Sequence, residues 1–223
     1  KLTDKGSGTY TFKMPASKVT VEATFTQIAT EPETLPFTDV KTGDWFYEAV
    51  QYVYDKGMMT GVSADRFAPA STTTRGMIVT ILYRLENEPA VSGDLPFTDV
   101  ERGAWYADAV AWAAANDIVN GTSATTFAPN SPITREQMAA ILFRYAAMSG
   151  FDTSARGNLD QYPDRGDVNG YAVEPLSWAV AEGLIKGTDN GNGILLDPQG
   201  NATRAQVATI IMRYTKLVSG TEN

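Results

Sequence analysis

Two stretches, LPFTDVKTGDWFYEAV (residues 35–50) and LPFTDVERGAWYADAV (residues 95–110), repeat one another at a distance of 60 residues. Each opens an apolar stripe: Val50, Val53, Tyr54 and Met58 after the first, Val110, Ala113, Ala114 and Ile118 after the second. That spacing marks one face of a helix. A first helix is predicted near Trp45–Lys56, with Gly57 ending it and a counterpart in the second copy. A second helix starts at TTTRGM and carries Ile78, Ile81, Leu82 and Leu85; its partner starts at PITREQ and carries Met138, Ile141, Leu142 and Tyr145. The loops GVSADRFAPAS, from Gly61, and GTSATTFAPNS, from Gly121, join the helices of each pair.

A third copy follows. EPLSWAVAEGLIKG (174–187) matches a first helix, LDPQGNATRAQV (196–207) matches the loop and second helix, and Val207, Ile210, Ile211 and Tyr214 renew the stripe. Proline precedes arginine by six residues in every copy: Pro69 and Arg75, Pro129 and Arg135, Pro198 and Arg204. The third loop is lengthened by DNGNG (189–193), which reads as a turn; it lacks the ligand spacing and terminal Glu of an EF-hand. The third opening is degenerate, with Asp164 and Tyr171 as the nearest equivalents of Asp39 or Asp99 and of the tryptophans. Units of this length do not bury their own apolar faces and pack on their neighbours, as an open stack or a closed ring.

Residues 1–27 differ. Tyr10 and Phe12, then Val19, Val21, Ala23 and Phe25, alternate with polar residues, the pattern of strands joined at MPAS (14–17). This segment is expected to be the C-terminal fragment of a β-module, with a polar linker at 28–35. The repeats are assigned to 36–89, 90–148 and 149–217, with a tail at 218–223.

Composition removes several chemistries. The chain lacks cysteine and histidine, so disulfides, thiolate zinc sites and histidine acid–base catalysis are excluded. Its acidic residues form no paired-carboxylate motif, so no catalytic residue, metal ligand or cofactor is assigned, and the chain is read as not an enzyme. With 18 basic and 26 acidic residues the net charge is −8, which argues against nucleic-acid binding. No apolar run is long enough to insert in a membrane.

The candidate site is the Thr-Arg pair that starts each second helix: Thr74-Arg75, Thr134-Arg135 and Thr203-Arg204. Threonine is a good N-cap, and Gln137 and Gln206 three residues on complete capping boxes that Met77 cannot. Arginine in a first turn opposes the helix dipole, at a cost of about 0.3–1 kcal/mol. Two readings are open. Free N–H groups, the dipole and a guanidinium together attract an anion such as a carboxylate. Alternatively each arginine pairs with an acid, Asp39, Asp99 or Asp164, and ties loop to helix. Repetition in three copies favours binding. Arg84, Arg144 and Arg213, nine residues on, suit the C-terminal dipole and read as structural. Of Trp45, Trp105, Trp112 and Trp178, all candidates for the core, Trp45 and Trp105 open their helices and could stack on a sugar. Gly61, Gly121 and Gly187 read as turn glycines of positive φ that also let a ligand near the backbone, and Lys186 as a solvated neighbour.

The pattern FTDV…W(F/Y)…AV…G…G…F.P…TR resembles the S-layer homology domain in three tandem copies, over residues 36–217. The opening β-segment resembles the closing strands of repeats in bacterial surface proteins. The resemblance implies a mainly α fold: three helix-loop-helix repeats in a pseudo-threefold, three-pronged bundle, first helices central, second helices and loops as prongs. It implies a secreted module at the cell wall or surface layer that anchors its parent protein without covalent bonds. The ligand it implies is a secondary cell-wall polysaccharide bearing a pyruvate ketal, whose carboxylate meets Arg75, Arg135 and Arg204 in grooves between repeats. Thr74, Thr134, Thr203, Gly61, Gly121, Gly187, Asp39, Asp99, Trp45 and Trp105 complete the implied ligand-binding set. The family's Thr-Arg-Ala-Glu stands here as Thr-Arg-Gly-Met, Thr-Arg-Glu-Gln and Thr-Arg-Ala-Gln, and the third opening is degenerate, so one or two working grooves are expected, the first or second before the third. The alternative is a structural module that self-associates in a surface-layer lattice without glycan binding.

Overall fold

The computed structural model describes residues 3–4, 10–11, 35–91 and 95–220. The chain divides into two units, residues 1–34 and 35–223. In the first, β1 (Thr3–Asp4) pairs antiparallel with β2 (Tyr10–Thr11), Thr3 opposite Thr11. The alternation expected at Val19–Phe25, the connection at 14–17 and most of the linker lie outside the described residues.

The second unit is mainly helical. Its helices are α1 (Tyr47–Asp55), α2 (Arg75–Leu85), α3 (Ala107–Ala115), α4 (Arg135–Met148), α5 (Val173–Ala181) and α6 (Arg204–Val218). The first helix starts two residues later than Trp45, because Asp44 and Lys41 close a turn ahead of it. The second helices begin at the Thr-Arg pairs: Thr74, Thr134 and Thr203 cap them in extended conformation, and Gln137 and Gln206 complete the boxes. The DNGNG insertion makes a short hairpin, β3 (Thr188–Asp189) with β4 (Ile194–Leu195).

Each first helix packs against a second helix of the preceding copy: α3 on α2, α5 on α4, and α1 on α6, so the contacts return to their start. Three residues preceding the caps join the copies directly. The Thr73 N–H donates to Ala202 O, the Ala202 N–H to Ile133 O, and the Ile133 N–H to Thr73 O, each at 2.9 Å. All three residues are fully buried. Lone extended residues need backbone partners when buried, and here each copy supplies one donor and one acceptor to its two neighbours.

The second helices, not the first, hold the centre. In α2 the run Arg75–Leu82 is buried at every position except Met77, and α6 is similarly enclosed. Their far ends also meet, with the Tyr145 and Tyr214 rings 5.6 Å apart and Tyr145 donating to Glu86 Oε1 at 2.8 Å. Of the first helices, α1 is buried on one stripe only, at Ala49, Val50 and Val53. The reason is the hydrogen-bonded ring: it lies just ahead of the second helices and draws their N-termini together.

Thr73 carries a buried hydroxyl without a hydrogen-bond partner, where the other copies have Ile133 and Ala202. A buried unsatisfied hydroxyl costs roughly 1–3 kcal/mol. Thr73→Val keeps the shape and removes the hydroxyl, so denaturant unfolding is expected to show a gain of about 1 kcal/mol.

Candidate functional site

The site begins at Asp39, Asp99 and Asp164, whose carboxylates turn toward backbone. Asp39 accepts the Phe67 and Ala68 N–H groups, both at 2.9 Å; Asp99 accepts those of Phe127 and Ala128; Asp164 accepts those of Leu196 and Asp197. The degenerate third opening therefore preserves this acid. The second residue of each pair is left-handed, with φ of 58° at Ala68, 57° at Ala128 and 50° at Asp197. Each precedes a proline, where helical φ/ψ is disfavoured, so the carboxylate holds a strained kink.

The kink exposes one carbonyl, and an arginine from the preceding copy takes it. Arg75 Nε donates to Phe127 O at 2.8 Å, Arg135 Nε to Leu196 O at 2.8 Å, and Arg204 Nε to Phe67 O at 2.7 Å. Arg75 also donates to Asn120 O and Arg204 to Thr60 O. Arg75 lies 4.7 Å over the Phe127 ring and Arg204 4.4 Å over that of Phe67, distances at which a cation gains from the ring face. The arginines are 6%, 3% and 7% exposed. Burial pulls each guanidinium pKa down from its ordinary value, with Asp99, Asp164 and Asp197, or Asp39, pushing back. None forms an ion pair with a carboxylate among the described residues.

The helix ends are not free. The first two N–H groups donate to loop carbonyls of the next copy: Arg75 and Gly76 to Ser131 and Pro129, Arg135 and Glu136 to Gly200 and Pro198, Arg204 and Ala205 to Ser71 and Pro69. The third N–H goes to the capping threonine at 3.3 Å. The backbone half of the anion site expected at these termini is thus already spent on joining copies, and the acid-pairing alternative is replaced by ties to carbonyls.

Around each second helix lies a groove. The α2 groove, about 380 Å³, gathers Arg204, Arg84, Gly61, Met77 and Trp105. The α4 groove, about 480 Å³, gathers Arg75, Arg144, Gly121, Gln137 and Tyr171. The α6 groove, about 470 Å³, gathers Arg135, Arg213, Lys186, Gly187, Gln206 and Trp45. All three copies contribute to each groove. Trp45 and Trp105 are 68% and 59% exposed, whereas Trp178 is fully buried and Trp112 nearly so.

The reading of Arg84, Arg144 and Arg213 as purely structural missed their place on the groove walls. Arg84 reaches Met58 O and Glu88, and Arg213 reaches Leu184 O. Arg144 has no hydrogen-bond or ion-pair partner among the described residues. They stand seven residues, two helical turns, after the cap+3 residues Met77, Gln137 and Gln206 and so share their helix face, a signal present in the sequence. Gly61 and Gly121 do not have the expected positive φ; only Gly187 does, at 80°. They are glycine for space, since a Cβ at Gly61 would stand 2.4 Å from Ser63 O and one at Gly121 2.2 Å from Ser123 O.

This architecture coincides with a known family. The S-layer homology domain model matches residues 36–76, 96–139 and 161–208. The chain belongs to this family, whose members anchor surface proteins to the cell wall, and it is an extracellular, wall-associated module. It is 32% identical to the Surface-layer 125 kDa protein of Lysinibacillus sphaericus over 99% of its own length and 18% of that protein's. An Endoglucanase of Bacillus sp. (strain KSM-635) is 32% identical over 79% of the chain and 18% of the enzyme. The S-layer protein sap of Bacillus anthracis is 26% identical over 81% of the chain and 21% of that protein. The chain thus spans about a fifth of these relatives, and one segment is common to surface-layer proteins and a glucanase.

The kink acids titrate in a defined direction. Burial pushes the Asp39 carboxyl up, but its backbone N–H donors and Arg66 outweigh this and hold it below the ordinary 3.8; Asp99 behaves alike, with Arg75 helping. A depressed folded-state pKa stabilises above the unfolded value and is lost as pH falls through the folded one. Stability is therefore expected to drop below about pH 4. Asp39→Asn should cost about 1–2 kcal/mol at neutral pH and flatten that drop, as urea titrations from pH 7 to pH 3 would show.

Proposed function

We propose that the chain anchors its parent protein by binding a pyruvylated secondary cell-wall polysaccharide in these grooves, the ketal carboxylate being received by the groove arginines. One observation carries the reading. Arg75, Arg135 and Arg204 are buried cations without a carboxylate partner among the described residues, each with unspent donors on a groove wall. A guanidinium has five N–H donors, and Arg135 uses one. Burying a charge without a counter-ion is costly, and a ligand carboxylate would relieve that cost in bidentate geometry. The second arginine of each groove, Arg84, Arg144 or Arg213, adds to a local positive field within a chain of net charge −8.

Residue roles divide accordingly. Thr74, Thr134, Thr203, Asp39 and Asp99 hold the framework. The arginines meet the carboxylate, Gly61, Gly121 and Gly187 leave room beside it, and Trp45 and Trp105 stack on the sugar. The degenerate third opening does not wall the groove of its own second helix; Tyr171 belongs to the α4 groove. The α6 groove, with Arg135, Arg213 and Lys186, and the α4 groove, whose Arg144 has no ion-pair partner among the described residues, are the stronger sites. In the α2 groove Glu88 competes for Arg84 at 3.7 Å. The module is non-catalytic, and the rest of the parent protein is its cargo.

Calorimetric titration with purified wall polymer, before and after mild acid removal of its ketals, tests this. Binding is expected only with ketals present. Arg144→Ala should weaken binding about tenfold at the α4 groove and leave stability within ~0.5 kcal/mol. Equal binding with and without ketals overturns the arginine mechanism. Binding to neither polymer, with concentration-dependent assembly, points to a lattice module.

A further inference from the structure

The three groove walls are not built alike. In two copies the wall is a tryptophan braced edge-on by the next residue: Trp45 on Phe46, centroids 5.3 Å apart at 86°, and Trp105 on Tyr106, 5.0 Å apart at 77°. The second position of the facing helix is small there, Ala205 in α6 and Gly76 in α2. At Gly76 a Cβ would stand 3.0 Å from the Pro129 carbonyl oxygen and 3.3 Å from Tyr106 Cδ1 of the neighbouring brace.

In the α4 groove all three positions change together. The wall is Tyr171, the following residue is Ala172, fully buried and unable to brace it, and the facing position is Glu136. Glu136 is 1% exposed, a buried carboxylate that forms no ion pair among the described residues. Its Oε1 accepts the Tyr171 hydroxyl at 2.8 Å and the Asn169 side-chain amide at 2.7 Å; its Oε2 accepts the Asn169 N–H at 3.1 Å. Both oxygens are spent on the short segment that presents Tyr171. An isolated buried carboxylate is expensive, and neither other copy has one here. The copies serve as internal controls: large brace and small facing residue with tryptophan, small brace and carboxylate with tyrosine.

We infer that Glu136 is the positioning residue of the α4 groove, a polar clamp that replaces the aromatic brace and fixes Tyr171 as its wall. The inference rests on the reading of the grooves as ligand sites. With its proton committed to Glu136, the hydroxyl oxygen of Tyr171, a residue that lines the groove, is left to accept a hydrogen bond from a ligand there. The α4 groove thereby offers a ligand hydroxyl a hydrogen-bond partner where the other two offer an indole face. It is the groove set apart for the more polar face of a sugar.

The test uses the whole chain carrying Trp45→Ala and Trp105→Ala, so that the α4 groove alone keeps an aromatic wall, titrated with the ketal-bearing polymer. Tyr171→Phe, which removes only the hydroxyl, and Glu136→Ala should each weaken binding about five- to tenfold, the loss of one hydrogen bond. In the Glu136→Ala background Tyr171→Phe should weaken binding little further, because the two changes remove one coupled interaction, whereas a merely destabilising role for Glu136 predicts additive losses. Binding of the Tyr171→Phe chain equal to its parent overturns the inference. If the unmutated chain binds no polymer, the anchoring reading fails, and amide exchange judges the clamp separately. The Asn169 N–H should exchange more than about tenfold faster in Glu136→Ala; unchanged exchange overturns the clamp.

Discussion

Three backbone hydrogen bonds, Thr73 to Ala202 to Ile133 and back to Thr73, are the constraint on which the rest depends. One residue per copy, in extended conformation ahead of a helix, satisfies its N–H on one neighbour and its carbonyl on the other. Two copies would leave an orphan donor and acceptor buried at the centre, which proteins avoid. Three close the circuit. Closure draws the second-helix N-termini together, and everything else on those termini follows from their crowding. Their leading N–H groups meet loop carbonyls of the next copy, and the arginine at the first position crosses the same boundary.

At the arginines a tie between copies coincides with the proposed binding group. As a structural device each is poor: a buried cation, in the turn where the dipole opposes it, bonded only to neutral carbonyls. The kink acids stand across a single peptide from the arginines, accepting the N–H of Ala68, Ala128 or Asp197 while the arginine takes the carbonyl of the same peptide, that of Phe67, Phe127 or Leu196. The opposite charges are held close but not in contact. Direct pairing would have neutralised the guanidinium; the intervening peptide leaves donors for an outside anion. A framework that keeps its cations unpaired is consistent with a receptor for a carboxylate.

Much of this was legible in the sequence. The helices, the caps, both capping boxes and the absence of one at Met77 follow from periodicity and side-chain chemistry within a few residues. The invariant six residues from proline to arginine were legible as a pattern without a reason. The structure supplies it: the proline carbonyl receives a helix terminus from one neighbour while the arginine reaches the other, so the segment is fixed at both ends. Gly187 has the positive φ its sequence position suggested, whereas Gly61 and Gly121 are required by the Ser63 and Ser123 carbonyls that exclude a Cβ. Glu136 was invisible as a clamp, because its partners Asn169 and Tyr171 lie more than thirty residues away in the stretch where the repeat pattern breaks down.

By itself the sequence determined the six α-helices, since helix period, capping and loop length are local and each copy repeats them. It also fixed which residues oppose the dipole. Only the tertiary structure decided that the second helices are central, that the free ends of those helices are consumed by neighbouring loops, and that a wall residue from a third copy completes each groove. These are matters of which copy meets which, and identical copies carry no local mark of their partner. The closed circuit of buried backbone donors and acceptors makes that choice, and it exists only once all three copies are in contact.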